Sequence, residues 1–357
     1  MDRYIGILGL IVLFAILLIM SNNKRRINKR TVLVGFSLQF IFGFLLLKWE
    51  AGNQFMQWLA GKVTSFLFLA NKGTSFLFGN LVNPEMMGTF GFQFAFSILP
   101  IIIFFAAFMG ILYYLGIMQK IVQGFAWLMS RLMGTSGCES ISCSANIFLG
   151  QTEAPLLVRP FLGHCTLSEL HAIMVGGFGT IAGSVMAGYI GMGVPAQHII
   201  IASTMAAPAS LMVAKIIFPE TEHSETAGDV GIPTVDAGSN ILDAASSGVQ
   251  DGLKLALNVA AMLVAFITLI ALVDVIFGWF DGIIDGKILG GVISAKTGEY
   301  AGIFPGSLKT LFGTIFSPLA WVMGVPKADI FEIGNLLGVK LSVNEFVAYS
   351  QLAPLIK

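Results

Sequence analysis

The sequence predicts an all-α polytopic membrane protein that contains re-entrant helical hairpins and inverted repeats. Only 11% of its 357 residues are charged and 56% are hydrophobic, whereas a soluble domain usually carries about 25% charged residues. Several stretches stay apolar over the roughly 20 residues that a helix needs to cross a bilayer. Two segments interrupted by Gly or Pro each contain a glutamate, Glu153 or Glu345, that lipid would not tolerate. Such pairs predict a binding site that faces a protected cavity.

Residues 4–20 and 31–47 are the first two predicted spans, within an N-terminal region of scaffold helices over residues 1–88. Five basic residues separate them: Lys24, Arg25, Arg26, Lys29 and Arg30. Because no small-residue cleavage site precedes this cluster, the first span is interpreted as retained rather than as a cleaved leader. The positive-inside rule then places the basic loop in the cytoplasm and the N-terminus outside.

Two amphipathic segments flank the third predicted span. In residues 53–82, apolar residues recur at helical spacing with lysines between them, which indicates a helix at the membrane surface or under the core. Residues 91–118 carry no charge and predict the third span, and residues 121–133 predict a second amphipathic helix. The third span and this helix form the predicted region 89–136.

Residues 139–162 are too polar to span a bilayer, and Gly150 and Pro155 prevent one continuous helix. A re-entrant hairpin fits better, because irregular backbone is tolerated at membrane depth where it lines a cavity. Residues 170–192 form a glycine-rich span with a predicted unwound point, and residues 198–218 form the next span. A phosphate loop is excluded there, since neither a following Lys nor a strand pattern is present. Together, residues 137–219 are the predicted transport domain, with a gate-like role.

The remaining chain is predicted as an acidic, polar and mobile linker (220–250), a scaffold span (251–279) and an incomplete C-terminal half (280–357). In this half, residues 310–325 begin a short apolar arm, and the segment from Asn344 to Leu355 closes it as a second hairpin. That segment shares the pattern Asn-x-Phe-aliphatic, Gln and Ala-Pro-Leu with the segment from Asn146 to Leu156. The shared pattern predicts that the two hairpins are internal repeats.

Other function classes are excluded by composition. The net charge of zero gives no basic footprint for nucleic acid. Three cysteines and four scattered histidines make neither a disulfide framework nor a zinc site. No His-Ser, paired-Asp or metal constellation converges at membrane depth, so we expect neither an enzyme nor a cofactor.

At its two glutamate segments the sequence resembles the concentrative nucleoside transporter family. The resemblance is carried by Gly-Gln-Thr-Glu-Ala-Pro-Leu-Leu-Val-Arg-Pro over residues 150–160 and by Asn-Glu-Phe-Val-Ala-Tyr over residues 344–349, and it is supported by residues 73–79 and 182–189. It implies a homotrimer in the cytoplasmic membrane. Each protomer would combine a scaffold domain with a transport domain that moves nucleosides by an elevator-like step.

The resemblance also implies a role for individual residues. Gln151, Thr152 and Glu153 would hydrogen-bond the nucleobase, Val185 would pack against its face, and Glu345 would accept hydrogen bonds from the ribose hydroxyls. The implied cation site comprises Asn146, the carbonyl of Leu149, the hydroxyl of Thr180 and the carbonyl of Ile181. Thr180 stands where family members often have Ser, which keeps the ligating oxygen.

The chemistry of these residue types agrees with the implied roles. Amide, hydroxyl and carboxylate groups match the donors and acceptors of a nucleobase and a ribose, and neutral oxygens suit a hard cation such as sodium. The expected function is therefore sodium-coupled symport of nucleosides such as uridine, with sodium as the coupling ion. Asn146 favours sodium coupling over the alternative, a proton-coupled nucleoside or nucleobase permease, because proton-coupled relatives tend to lack this Asn. A non-transporting remnant is the third alternative.

The family pattern continues beyond Lys357 with two helices, whose Asn and Ser complete the ribose site. The sequence therefore implies a chain truncated at its C-terminal end relative to the family. We expect residues 1–357 alone to insert into a membrane but to be poorly stable and inactive in uptake, because the polar tip of the second hairpin would lack its packing partners.

Overall fold

The computed structural model describes residues 5–151, 153–228, 231, 238–294 and 298–356. Over these residues the chain is helical, apart from loops and one isolated antiparallel bridge between Ile293 and Tyr300. The helices are α1 Ile5–Met20, α2 Lys29–Gly43, α3 Glu50–Leu67, α4 Ala70–Phe78, α5 Met87–Phe90, α6 Phe94–Ser97, α7 Leu99–Tyr114, α8 Ile117–Met133, α9 Gly137–Ala145, α10 Ala154–Leu157, α11 Leu167–Gly179, α12 Gly183–Gly191, α13 Ala196–Ile217, α14 Ile241–Asp281, α15 Leu308–Val322, α16 Ile330–Ser342 and α17 Glu345–Leu352.

Within the described part of the chain, five helical segments are long and apolar enough to cross a membrane. They are Lys29–Lys48, Phe94–Tyr114, Leu167–Gly191, Ala196–Ile217 and Ile241–Ile288. Each overlaps one of the spans predicted after the first. The all-α polytopic prediction is therefore confirmed.

The helices form two compact units, Ile16–Leu257 and Met1–Ala15 with Asn258–Lys357. In the first unit, α9 packs against α8, α11 and α13, and every residue of α9 is buried. The small side chains of α9 (Gly137, Ser140, Ser142, Ser144 and Ala145) allow these neighbouring helices to approach closely. This places the first arm of the predicted hairpin inside the protein rather than against lipid.

Helix α8 supports that arm through one apolar face. The buried residues of α8 recur every three or four positions: Met118, Val122, Ala126, Met129 and Met133. Gly116 and Gly134 flank the helix with φ of 72° and 73°, a backbone conformation that glycine adopts without strain. The predicted amphipathic helix at 121–133 is thus confirmed, and its apolar face packs against α9.

In the second unit, α15 and α16 pack tightly against each other. Glycines make this possible, because a Cβ at Gly338 would lie 2.5 Å from the ring of Phe312 and one at Gly313 would lie 2.5 Å from the ring of Phe331. The arm predicted at 310–325 is α15. Helix α16, which was not predicted, lies between this arm and the Glu345 segment along the chain.

The structure also corrects the predicted linker. Helix α14 begins at Ile241 and runs for 41 residues, so residues 241–250 are helical rather than linker. Near the start of the linker, Ser224 and Thr226 donate hydrogen bonds to Glu169 at 2.5 and 3.1 Å. Linker residues 229–230 and 232–237 lie outside the described ranges.

Candidate functional site

The tip of the first hairpin lies between α9 and α10. Regular helix stops after Ala145, and the carbonyl of Gly150 accepts hydrogen bonds from the backbone N–H groups of Glu153 and Ala154, both at 3.0 Å. Pro155 follows within the first turn of α10, where its missing N–H costs nothing. The broken hairpin predicted from Gly150 and Pro155 is therefore present as two short helices joined by an irregular segment.

A break in the next span faces this tip. Helix α11 ends at Gly179 and α12 begins at Gly183, with Thr180 and Ala182 in extended conformations between them. The N–H of Gly183 donates to the carbonyl of Phe148 at 3.1 Å, and a Cβ at Gly183 would overlap that carbonyl oxygen. The predicted unwound point is confirmed, and glycine is required where it crosses the hairpin tip.

Asn146 lies buried at this crossing. Its side chain has no exposed surface, and neither Nδ2 nor Oδ1 has a hydrogen-bond partner among the described residues. A Cβ placed on Gly176 would lie 3.5 Å from Asn146 Nδ2 and 2.6 Å from Cys143 Sγ. Leaving a buried polar group unpaired costs about 1–3 kcal/mol, and such groups are rare enough to require an explanation. A bound ion at Asn146 would supply one.

The other predicted cation ligands lie around the same crossing. The hydroxyl of Thr180 donates to the carbonyl of Gly176 at 2.8 Å, which leaves its oxygen lone pairs free to face a cation. Leu149 is buried and adjoins Phe148, and Ile181 is half-buried and lies within the α11–α12 break. All the donors are neutral oxygens, and the described residues include no group of three or more His, Cys, Asp or Glu side chains arranged to hold a metal. These donors fit sodium better than a transition metal.

The predicted nucleobase residues follow directly along the tip. Gln151 is exposed, and its Cβ would lie 3.1 Å from a Cβ built on Gly177. Glu153 is also exposed, and its Oε2 accepts a hydrogen bond from the N–H of Gly150 at 3.3 Å. Val185 is half-buried in the first turn of α12. Thr152 lies outside the described residues.

Glu153 lines a cavity of about 350 Å³ in the first unit, a volume within the range of about 300–1,000 Å³ that is usual for small-molecule sites. Tyr113, Phe148 and Ser184 also line this cavity. The sequence analysis did not predict Tyr113 or Ser184 as site residues. An aromatic side chain beside a carboxylate and a hydroxyl gives a cavity that can hold a flat, polar molecule.

Glu345 belongs to the second unit, where it begins α17. The side chain of Asn344 accepts a hydrogen bond from the N–H of Val347 at 2.8 Å and so caps this helix. Glu345 is half-buried. This cap fixes the start of α17, so Glu345 is the first residue of the helix.

A buried ionic cluster at the base of the first hairpin was not predicted. Lys215 Nζ lies 2.7 Å from Glu139 Oε2, and the two side chains are 7% and 1% exposed. Lys215 also donates to Ser168 Oγ at 2.8 Å and lies 3.4 Å from Glu220 Oε2. Lys215 is therefore the basic partner of Glu139, whereas Arg159 is exposed. The available signal was a single lysine in the otherwise apolar span 198–218.

Three family models together match most of the chain. "Na+ dependent nucleoside transporter N-terminus" matches residues 8–81, "Nucleoside recognition" matches residues 95–196, and "Na+ dependent nucleoside transporter C-terminus" matches residues 198–357. The matches run in chain order through both hairpin segments.

Individual relatives agree with the family models. An uncharacterized transporter of Haemophilus influenzae is 44% identical over 98% of this chain and 79% of its own length. Sodium/nucleoside cotransporter 2 of Rattus norvegicus is 38% identical over 99% of this chain, which spans 50% of that protein.

Among solved structures, CNTnw in an inward-facing substrate-bound state superposes with a TM-score of 0.89 at 40% identity. The superposition covers 100% of this chain and 81% of that one. A variant of CNTnw in an outward-facing state gives the same TM-score at 39% identity. The chain therefore belongs to the concentrative nucleoside transporter family, as an integral membrane transporter and not an enzyme.

Proposed function

We propose that the protein is a sodium-coupled nucleoside symporter that takes up nucleosides such as uridine across the cytoplasmic membrane. The observation that carries the proposal is Asn146, a fully buried amide with both polar atoms unpaired among the described residues. Sodium/nucleoside cotransporter 2 of Rattus norvegicus, which is 38% identical to this chain over 99% of its length, supports the assignment of both solutes.

Sodium would bind where the hairpin tip crosses the helix break. Asn146 Oδ1 and the hydroxyl of Thr180 supply side-chain oxygens, and the carbonyls of Leu149 and Ile181 supply backbone oxygens. Because this donor set is neutral, the bound cation keeps its positive charge. The hydroxyl of Thr180 already donates a hydrogen bond to the carbonyl of Gly176, so it would present only lone pairs to the ion.

The nucleoside would bind on the residues that follow the cation ligands along the chain. Gln151, Thr152 and Glu153 would contact the base edge, Val185 would contact its face, and Glu345 would accept from the ribose hydroxyls. Leu149 is two residues from Gln151, so an ion that orders the Leu149 carbonyl also orders the base-binding segment. Binding of either solute should therefore strengthen binding of the other by the same factor.

Transport would follow an elevator-type alternating-access cycle in a homotrimer. Support comes from CNTnw, whose solved structures include inward-facing, outward-facing and intermediate states with TM-scores of 0.86–0.89 to this chain. The trimer rests on the family resemblance and is testable by native mass spectrometry of the purified protein.

The proposed function is tested by uridine uptake into liposomes that contain the full-length protein. We expect accumulation when an inward sodium gradient is imposed, and none when potassium replaces sodium. Asn146→Ala should weaken the sodium dependence. Asn258→Ala is the matched control, because Asn258 is an exposed Asn on α14 and its loss should leave uptake unchanged. Uptake that follows a pH gradient and ignores sodium would contradict sodium coupling and support the proton-coupled permease.

A further inference from the structure

Two cysteine sulfurs lie in contact at the base of the first hairpin. Cys138 is the second residue of α9, and Cys165 directly precedes Thr166, the residue that caps α11. Their Sγ atoms are 2.9 Å apart, which is closer than ordinary contact between two unbonded sulfurs. A disulfide has an S–S distance of about 2.05 Å, so the sulfurs need to move by less than about 1 Å to reach bonding distance.

The backbone on each side of this pair is anchored. The N–H of Cys138 donates to Thr226 Oγ1 at 3.2 Å, and the N–H of Gly137 donates to the carbonyl of Thr226 at 2.9 Å. The N–H of Thr166 donates to Glu169 Oε2 at 2.8 Å. These bonds hold both cysteines in place, so their proximity is a property of the folded hairpin base.

We propose that Cys138 and Cys165 form a modification site, which closes to an intramolecular disulfide when the folded protein meets a peroxide. The bond would join the start of the first hairpin arm to the residue that precedes α11. The tip that carries Asn146 and Glu153 lies inside the loop closed in this way. This inference does not depend on which solute the protein transports.

The chemistry balances with hydrogen peroxide as the oxidant. Cys165 is half-buried whereas Cys138 is 1% exposed, so the thiolate of Cys165 attacks first. Its sulfur bonds to one peroxide oxygen, the O–O bond breaks, and hydroxide leaves and becomes water, so that a sulfenic acid remains. The thiolate of Cys138 then attacks that sulfur and releases a second hydroxide, which also becomes water. Two thiols are oxidised and one peroxide is reduced to two waters.

The surroundings of Cys165 disfavour its thiolate. Burial raises the pKa of the Cys165 thiol, and the carboxylates of Glu169 and Glu139 raise it further, against the hydrogen bond from Cys138. The reactive thiolate is therefore a minor species at neutral pH.

The third cysteine provides a matched control within the same helix. Cys143 has no exposed surface, and its Sγ donates to the carbonyl of Ala172 at 3.4 Å. Within the described hairpin base, Cys143 does not contact another cysteine sulfur. Oxidation should therefore leave Cys143 as a thiol.

The test uses the full-length protein purified in detergent. Hydrogen peroxide is added, and free thiols are blocked with N-ethylmaleimide after denaturation. The protein is then cleaved after glutamate with endoproteinase Glu-C, which places the three cysteines on separate peptides because Glu139, Glu153 and Glu169 follow them in turn, and the peptides are mapped by mass spectrometry. We expect blocked thiols among these three cysteines to fall from three to one, a linked peptide pair that contains Cys138 and Cys165, and recovery with dithiothreitol. Cys143→Ser should still form the link, whereas Cys165→Ser should not.

Three results would overturn the proposal. One is retention of all three thiols after oxidation, and another is a disulfide that contains Cys143. The last is oxidation of Cys165 to a sulfinic acid without a link to Cys138. The thiol count and the search for the linked peptides use the parent protein, so poor folding of a variant does not affect them.

Discussion

The buried ion pair between Lys215 and Glu139 should stabilise the hairpin base, and Lys215→Met tests this. The substitution keeps an unbranched side chain but removes the charge 2.7 Å from a carboxylate that is 1% exposed. Removal of one partner of a buried pair costs about 3–5 kcal/mol, because the other charge is left uncompensated. After this substitution, the carboxylate of Glu139 still accepts the hydrogen bond from the backbone N–H of Ser136 at 2.9 Å, the backbone partner that the described residues give it. We therefore expect the melting temperature to fall by roughly 6–10 °C.

The matched control is Lys254→Met. Lys254 lies 3.8 Å from Asp251, and both side chains are about three quarters exposed, so this pair contributes about 0–1 kcal/mol. The assay is thermal unfolding of purified protein, followed by the loss of the monodisperse size-exclusion peak. Adding Glu139→Gln to Lys215→Met should restore part of the lost stability, because no unpaired charge remains. Equal effects of Lys215→Met and Lys254→Met would refute the reasoning.

Three further predictions concern the crossing between the hairpin tip and the helix break. Gly183→Ala should weaken sodium and uridine binding, because the new methyl group meets the Phe148 carbonyl. The control Gly73→Ala adds a methyl group where the space is open, so it should leave both affinities unchanged. Calorimetric titration of each variant measures the difference. Thr180→Val should lower sodium affinity by about tenfold while Thr180→Ser preserves it; equal sodium affinities for these two variants would argue against a hydroxyl ligand. Glu153→Gln should lower uridine affinity by roughly 30- to 150-fold through loss of a charge-assisted bond, and equilibrium binding within threefold of the parent would remove Glu153 from the site.

Local patterns predicted the helix break and the hairpin tip, because each depends on residues close together in the chain. The glycines before Thr180 and the pair Gly150 and Pro155 disfavour continuous helix whatever packs against them. Helix α16 was not predicted, because its Glu332, Asn335 and Lys340 interrupt the apolar pattern. In the structure this helix packs against α15, a contact that the local pattern does not indicate.

The long-range partners could not be predicted from local pattern. Lys215 lies 76 positions from Glu139 and Cys165 lies 27 positions from Cys138, so each pairing depends on how helices pack. A further long-range contact joins α14 to the start of α15, where Asp274 Oδ1 accepts a hydrogen bond from the N–H of Leu308 at 2.8 Å.

The central claim is that sodium binds at Asn146 and orders the nucleoside site. Its most direct test is calorimetric titration of uridine into the purified full-length protein, in sodium and in potassium, with reciprocal titrations of sodium. We expect sodium to raise uridine affinity and uridine to raise sodium affinity by the same factor. Asn146→Ala should abolish this coupling, and Asn258→Ala should retain it. Uridine affinity that is equal in sodium and potassium, or coupling that survives Asn146→Ala, would contradict the claim.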